Sequence, residues 1–237
     1  MPSTEVLTSM PRMRPSAADF YAVNRGGGLF SEAISQRIGA VFALLADRAG
    51  AKPTTLTLIN LLIGVAVSTV LVLRAQDGTT AITPLFGLLA LVGWQVAYAL
   101  DCADGQLARV TDQRSVAGAR IDILCDVASQ ITLVTALVAV ARPPLWLAAL
   151  FAGSWMVNLV TSVLANSDVA ASMVTSRSLP VRLVKLVRDY GAVIFAAGLV
   201  LTFAPALTIW FVAAFTVVNF GFLLASIAFT ARAALRG

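Results

Sequence analysis

Four aspartates are the residues of this chain best suited to chemistry. Asp101 and Asp104 stand three apart, and Asp122 and Asp126 four apart; at either spacing two side chains share one face of an α-helix. Two such helices facing one another converge four carboxylates, drawn from only twelve acidic residues in all. Like charges at 4 Å repel by roughly 4 kcal/mol per pair at an effective dielectric near 20, so the cluster calls for cations among its members. Oxygen ligands in a chain with no histidine and no thiolate pair suit magnesium or manganese and disfavour zinc. Two such ions can bridge a pyrophosphate. Between the pairs runs GQLARVTDQRSVAG, in which Gly105 and Gly118 let backbone approach a ligand and Arg109, Arg114 and Arg120 offer charge to phosphates. The stretch reads as a cradle for a nucleotide diphosphate. Acidic residues at helix ends are ordinarily solvated or paired with nearby arginines; any two of these aspartates fit that description, but four in this register do not.

The elements that must carry these residues belong in a bilayer. Of the 237 residues 59% are hydrophobic and 12% charged, far more apolar than a soluble domain. Six apolar segments, roughly 56–73, 81–100, 121–141, 144–165, 189–205 and 207–230, predict an all-α integral membrane protein with six transmembrane helices. The last two form an almost unbroken apolar run from Ala192 to Ala231, about 60 Å long as one helix and twice the hydrocarbon thickness, so it must turn back, and Pro205 is the expected place. The four aspartates then fall at the inner ends of the second and third spans, in and beside a loop near 101–120.

Residues 29–48 place Leu29, Ile34, Ile38, Val41, Phe42 and Leu45 at helical spacing, which predicts an amphipathic helix lying on the membrane surface. Residues 1–28, with prolines at 2, 11 and 15 and no apolar core, read as a disordered cytoplasmic tail, leaving 29–237 as one membrane domain. With the N-terminus inside, 15 of the 17 basic residues lie on the cytoplasmic side and only Arg74 and Arg142 outside. The positive-inside rule therefore puts both termini, the aspartates and the loop near 166–188 at the cytoplasmic face of a cell membrane. A net charge of +5 in so apolar a chain points to anionic lipid, and nucleic acid is not an expected partner. Cys102 and Cys125, beside cytoplasmic loops, are expected to stay reduced. Ser31 and Ser35 have no histidine or lysine at a suitable spacing, which leaves a serine nucleophile without support. Trp94, Tyr98, Trp146, Trp155 and Trp210 read as interfacial anchors or packing.

Residues 101–126, DCADGQLARVTDQRSVAGARIDILCD, resemble the signature of the CDP-alcohol phosphotransferase family: two aspartates three apart, Gly105, Ala108, Arg109, Gly118, then Asp122 and Asp126. Pro53-Thr54-Thr55-Leu56-Thr57 is similar to the family's lead into its first span, although the family often has asparagine where Thr54 stands. The resemblance implies a helical bundle, commonly a homodimer, with a polar cavity open to the cytoplasm. It implies two Mg2+ (or Mn2+) ions held by Asp101, Asp104, Asp122 and Asp126, with Asp126 also acting as general base. By the same carry-over Gly105, Ala108, Arg109 and Gly118 bind the CDP portion, and Thr57 lines the cavity. The implied reaction moves a phosphoalcohol group, phosphatidyl when the donor is CDP-diacylglycerol, to an acceptor alcohol and releases CMP in phospholipid biosynthesis.

The acceptor is less legible. Family members that use phosphorylated acceptors typically carry arginine or lysine directly after the last aspartate, whereas this chain has Val127, which speaks against inositol phosphate and glycerol phosphate. Arg120, Arg177, Arg182 and Lys185 are the candidate acceptor contacts, Arg120 foremost for its place beside the motif. The alternatives are the same chemistry with another CDP-linked alcohol or a polyol phosphate acceptor, and, outside enzymes, a divalent-metal transporter. The four carboxylates cluster at one membrane boundary, whereas a conduit places ionisable groups nearer the bilayer centre.

Overall fold

The computed structural model describes residues 14–24, 28–78, 82–165 and 189–235. Every regular element among them is helical. In chain order they are α1 (Ala17–Ala22), a π-type turn at Ser31–Ser35 that leads directly into α2 (Gln36–Arg48), α3 (Pro53–Gln76), α4 (Pro84–Val110), α5 (Val116–Ala141), α6 (Leu145–Ala165), α7 (Tyr190–Phe203), a 3-10 turn at Pro205–Leu207, and α8 (Thr208–Ala234). The starts follow from local chemistry. Pro53 and Pro84 open α3 and α4, where a fixed φ favours the helix and the missing amide would have been unpaired anyway. Ser115 caps α5 by accepting from the Gly118 amide at 2.9 Å, and Asp189 caps α7 by accepting from the Gly191 amide at 3.1 Å.

Each of the six expected apolar segments falls on one of the helices α3 to α8. The long run from Ala192 to Ala231 turns back at Pro205: Ala204 leaves the helix at φ −152° and ψ 63°, and the 3-10 turn carries the chain into α8. Four stretches among the described residues are long and apolar enough to cross a membrane: Pro53–Gln76, Pro84–Val110, Val116–Ala141 and Pro205–Leu224; the apolar helices Leu145–Met156 and Tyr190–Phe203 are shorter. The 14 residues of α7 rise about 21 Å, against a hydrocarbon thickness of about 30 Å. The chain exposes large apolar side chains around the bundle, among them Leu62, Leu85, Leu124, Trp146 and Val217, a surface suited to lipid and not to water.

Two expectations change. The loop near 101–120 shrinks to the turn 111–115, because α4 continues through the motif to Val110. Its last turns carry Asp104 and Arg109 into a polar cleft and Asp101 into a neighbouring cavity, so falling hydropathy there marked a change of surroundings and not a helix end. The Thr111 hydroxyl then bonds the Leu107 carbonyl at 2.7 Å, and Asp112 turns the chain at φ 55°. The expected disordered tail is ordered in its described part. Ala17–Ala22 form a helix closed by a capping box between Ser16 and Asp19, and Phe20 is fully buried in a cluster with Ala40, Leu56, Leu100 and Leu107. Tyr21 adds a hydrogen bond to the Glu32 carbonyl at 3.1 Å.

Within the expected surface helix, small residues face the protein and large ones face out. Gly39, Ala40 and Ala43 are buried, and a Cβ at Gly39 would meet the Ala99 carbonyl oxygen of α4 at 2.8 Å. Ile34, Ile38, Val41 and Leu45 are exposed. Small residues also set the α4 to α7 contact, where a Cβ at Gly198 would lie 2.6 Å from Leu91 Cα and one at Gly87 2.3 Å from Thr202 Cα. Helix α3 packs along both α4 and α5, α4 also along α2 and α7, and α6 along α8. The main core runs from Leu71 and Trp94 through Leu133, Leu137, Phe151 and Trp155 to Ile194, Leu201 and Val212. Thus Trp94 and Trp155 are packing residues, whereas Trp146 and Trp210 are exposed.

Candidate functional site

The acidic helices do converge, but α3 does much of the joining. Helices α4 and α5 meet each other far less than each meets α3, and α3 contributes a polar stripe at Thr57, Asn60, Gly64 and Ser68. These positions recur with the helical period along an otherwise apolar helix. The Thr57 hydroxyl donates to Asp104 Oδ2 at 2.5 Å, and the Asn60 amide reaches Asp101 Oδ1 at 3.4 Å. Carboxylate oxygens of Asp101, Asp122 and Asp126 lie within 4.8 Å of one another. Asp104 adjoins this group through Asp122, and Asp101 touches Asp126. Asp104 is buried and the other three partly buried.

The donor set fits hard divalent cations. All four groups are carboxylates, the spacing of Asp101, Asp122 and Asp126 allows shared ligation, and Asp122 Oδ1 is buried with no hydrogen-bond partner. A buried carboxylate oxygen left so is costly unless something positive meets it. Arg109 attracts Asp122 from one side.

Next to this centre lies a cleft of about 240 Å3. Its floor carries Thr57, Asp104 and Asp122, and its walls Gly105, Ala108, Arg109 and Gly118. The structure therefore gathers every residue that the motif resemblance assigned to CDP. The Arg109 guanidinium folds over Gly105, where a Cβ would come within 2.9 Å of Nη1. Arg114, Ser115 and Ala119 complete the rim, where the Gly118 amide is taken by the Ser115 hydroxyl.

Not every expected residue is there. Arg120 is exposed and lines neither this cleft nor the smaller cavity on the other side of the aspartates. It precedes Asp122 by two positions, and residues two apart point to different sides of a helix. Arg177, Arg182 and Lys185 lie outside the described residues.

The structure adds residues that sequence reasoning passed over. Asp189 is buried and clamps two helix starts: it accepts from the amides of Phe30 at 2.8 Å and Ser31 at 3.0 Å as well as from Gly191. It also accepts from the Ser31 hydroxyl, which meets the Tyr98 hydroxyl at 2.9 Å. Ser31 is thus a structural link. The local signal for Asp189 was an aspartate directly ahead of an apolar run, a helix-start pattern; its second partner lies 158 residues away and left no trace in the sequence. Gln106, between the motif residues, is fully buried and donates to Asn24 Oδ1 and the Gln36 carbonyl, both at 2.9 Å. Cys102 and Cys125 are free thiols.

The sequence model of one family, described as CDP-alcohol phosphatidyltransferase, matches residues 50–218, well over half of the chain. The chain belongs to that family. No individual curated protein matches it significantly. As a CDP-alcohol phosphatidyltransferase family member it is a transferase of substituted phosphate groups, moving a phosphoalcohol group from a CDP-alcohol to an acceptor alcohol. The matched stretch runs from just ahead of α3 into α8 and contains the four aspartates, Arg109, Gly118 and Thr57; α1 and α2 lie ahead of it.

Proposed function

We propose that this protein is a phospholipid synthase that transfers the phosphatidyl group of CDP-diacylglycerol to a small alcohol and releases CMP. In this reading six helices span a cell membrane, residues 29–48 lie at its cytoplasmic surface, both termini and the cleft are cytoplasmic, and the active form is a homodimer. The observation that carries it is the gathering of Asp101, Asp122 and Asp126 oxygens within 4.8 Å at the edge of a cleft lined by Arg109, Gly105 and Gly118.

Asp101, Asp104, Asp122 and Asp126 would hold two Mg2+ (or Mn2+), which would supply charge neutralisation for a pyrophosphate and its leaving group. Arg109 binds and orients the nucleotide phosphates. Thr57 fixes the Asp104 carboxylate through its 2.5 Å hydrogen bond, a supporting contact of the kind that orients a ligand. Asp126 takes the proton of the attacking hydroxyl. A lipid donor keeps its acyl chains among the exposed apolar side chains while its head reaches the cleft.

The test is CMP release by purified protein in vesicles containing labelled CDP-diacylglycerol, with Mg2+ varied and serine, glycerol, inositol and their phosphates offered as acceptors. Release that needs both Mg2+ and an alcohol is the expected result. Asp126→Asn should bind CDP-diacylglycerol within about threefold of wild type and lose roughly 10²- to 10⁴-fold in turnover. Normal turnover by that variant removes the general-base role, and vesicle uptake of Mg2+ without nucleotide favours transport instead.

A further inference from the structure

The carboxylate centre separates two cavities that share no lining residue. The wide cleft meets Asp104 and Asp122. On the other side Asp101 and Asp126 bound a second cavity of about 20 Å3, lined also by Tyr98, Ser129, Gln130 and Tyr190. We infer that this inner cavity seats the attacking hydroxyl of the acceptor alcohol, with Ser129 and Gln130 as its binding residues; the inference rests on the proposed phosphotransfer.

Three observations support it. The first is direction. In phosphoryl transfer the attacking and leaving oxygens stand roughly in line on opposite sides of phosphorus. With the nucleotide in the wide cleft, CMP departs past Asp104 and Asp122, and the open side of the phosphorus faces Asp101, Asp126 and the inner cavity. The second is chemistry. The Ser129 hydroxyl oxygen is buried with no partner. Gln130 Oε1 accepts from the Trp155 indole at 2.9 Å; an indole can only donate, so the amide oxygen is engaged there and its NH2 group remains for the cavity. A hydroxyl placed there can accept from Gln130 and donate to Asp126.

The third is size. A cavity of about 20 Å3 holds one water or hydroxyl, for which roughly 10 to 15 Å3 suffices, but not a sugar ring or a phosphate. The acceptor therefore enters tip first, by an unhindered hydroxyl, and any bulk or charge it carries stays outside. The space depends on Gly64, where a Cβ would come 3.4 Å from Ser129 Oγ. Ser129 follows Asp126 by three positions on α5 and Tyr98 precedes Asp101 by three on α4, so both continue the acidic faces inward. In the step itself the acceptor oxygen bonds the phosphorus that bears the diacylglycerol. The bond from that phosphorus to the CMP oxygen breaks with its electron pair going to CMP, and the acceptor proton passes to Asp126.

The experiment measures, in vesicles with Mg2+, both binding of labelled CDP-diacylglycerol and CMP release against acceptor concentration, using whichever panel alcohol is turned over fastest, or water if none is. Ser129→Ala and Gln130→Met should raise the acceptor KM about tenfold or more, or with water lower CMP release equally, while CDP-diacylglycerol binding stays within twofold. Gly64→Val, which fills the cavity, should cut CMP release at least 100-fold with the same binding; if it fails to fold, the first two variants still decide. Wild-type acceptor KM and CMP release in Ser129→Ala and Gln130→Met, or loss of CDP-diacylglycerol binding in step with turnover, overturns the inner-cavity assignment. Wild-type protein that neither binds CDP-diacylglycerol nor releases CMP overturns the CDP-diacylglycerol donor reading on which the inference rests.

Discussion

Thr57 and Asp101 show how side chains of different type serve one centre. Thr57 gives Asp104 its hydrogen bond from a neighbouring helix, and removing a supporting contact of this kind typically costs 10- to 100-fold in metal affinity or activity. Thr57→Val keeps the shape and loses the donor, so it should raise the Mg2+ concentration for half-maximal CMP release by roughly 10- to 100-fold, while Thr57→Ser should restore most of it. Asp101→Asn removes a charge from the proposed ligand set and should weaken the Mg2+ dependence at least as much; an unchanged magnesium titration counts against its ligand role. Arg120, exposed and turned from both cavities, should by contrast tolerate replacement by alanine with acceptor KM within about twofold.

Between elements, the site depends on junctions far from the motif. Asp189 closes the start of α7 and the turn ahead of α2 at once, and through Ser31 it reaches Tyr98 on α4. Asp189→Ala leaves buried amides of Phe30, Ser31 and Gly191 without an acceptor and should destabilise the protein by about 2 to 3 kcal/mol, read as a lower melting temperature in detergent. Asp189→Asn, which keeps one acceptor oxygen, should lose less. The α4 to α7 seam is tighter still: a leucine at Gly198 has no room beside Leu91 Cα, so it must push the helices apart and should lower the yield of folded protein sharply.

For the molecule as a whole, the proposed ion binding links to folding. An ion that binds only the folded chain stabilises it by about 2.7 kcal/mol at 100 times its Kd, so saturating Mg2+ should raise the melting temperature of wild-type protein and leave that of an Asp101→Asn, Asp122→Asn double variant nearly unmoved. Orientation is equally testable. The turn at 111–115 and the turn at 142–144 lie at opposite ends of α5. In protein freed of Cys102 and Cys125, a cysteine replacing Arg114 should react with an impermeant thiol reagent only from the cytoplasmic side, and one replacing Pro143 only from the other. The reverse pattern contradicts the charge-based orientation.

The sequence by itself determined the six apolar helices and the residues of the acidic centre, because both follow from short-range regularities. Apolar stretches specify helices one at a time, Pro205 specifies a turn, and aspartates three and four apart share a face wherever the helix goes. The motif residues Gly105, Arg109, Gly118, Asp122 and Asp126 are close along the chain, so their kinship was legible without coordinates. Only the tertiary structure decided that α3, and not contact between the two acidic helices, binds the centre together through Thr57 and Asn60, that Asp189 fastens the far end of the chain to Ser31, and that Arg120 points away. It alone divided the space around the aspartates into a wide cleft and a hydroxyl-sized cavity. Those facts depend on the rotation and separation of helices whose contacts span from tens of residues to more than 150, and no local pattern of residue types records how one helix turns against another.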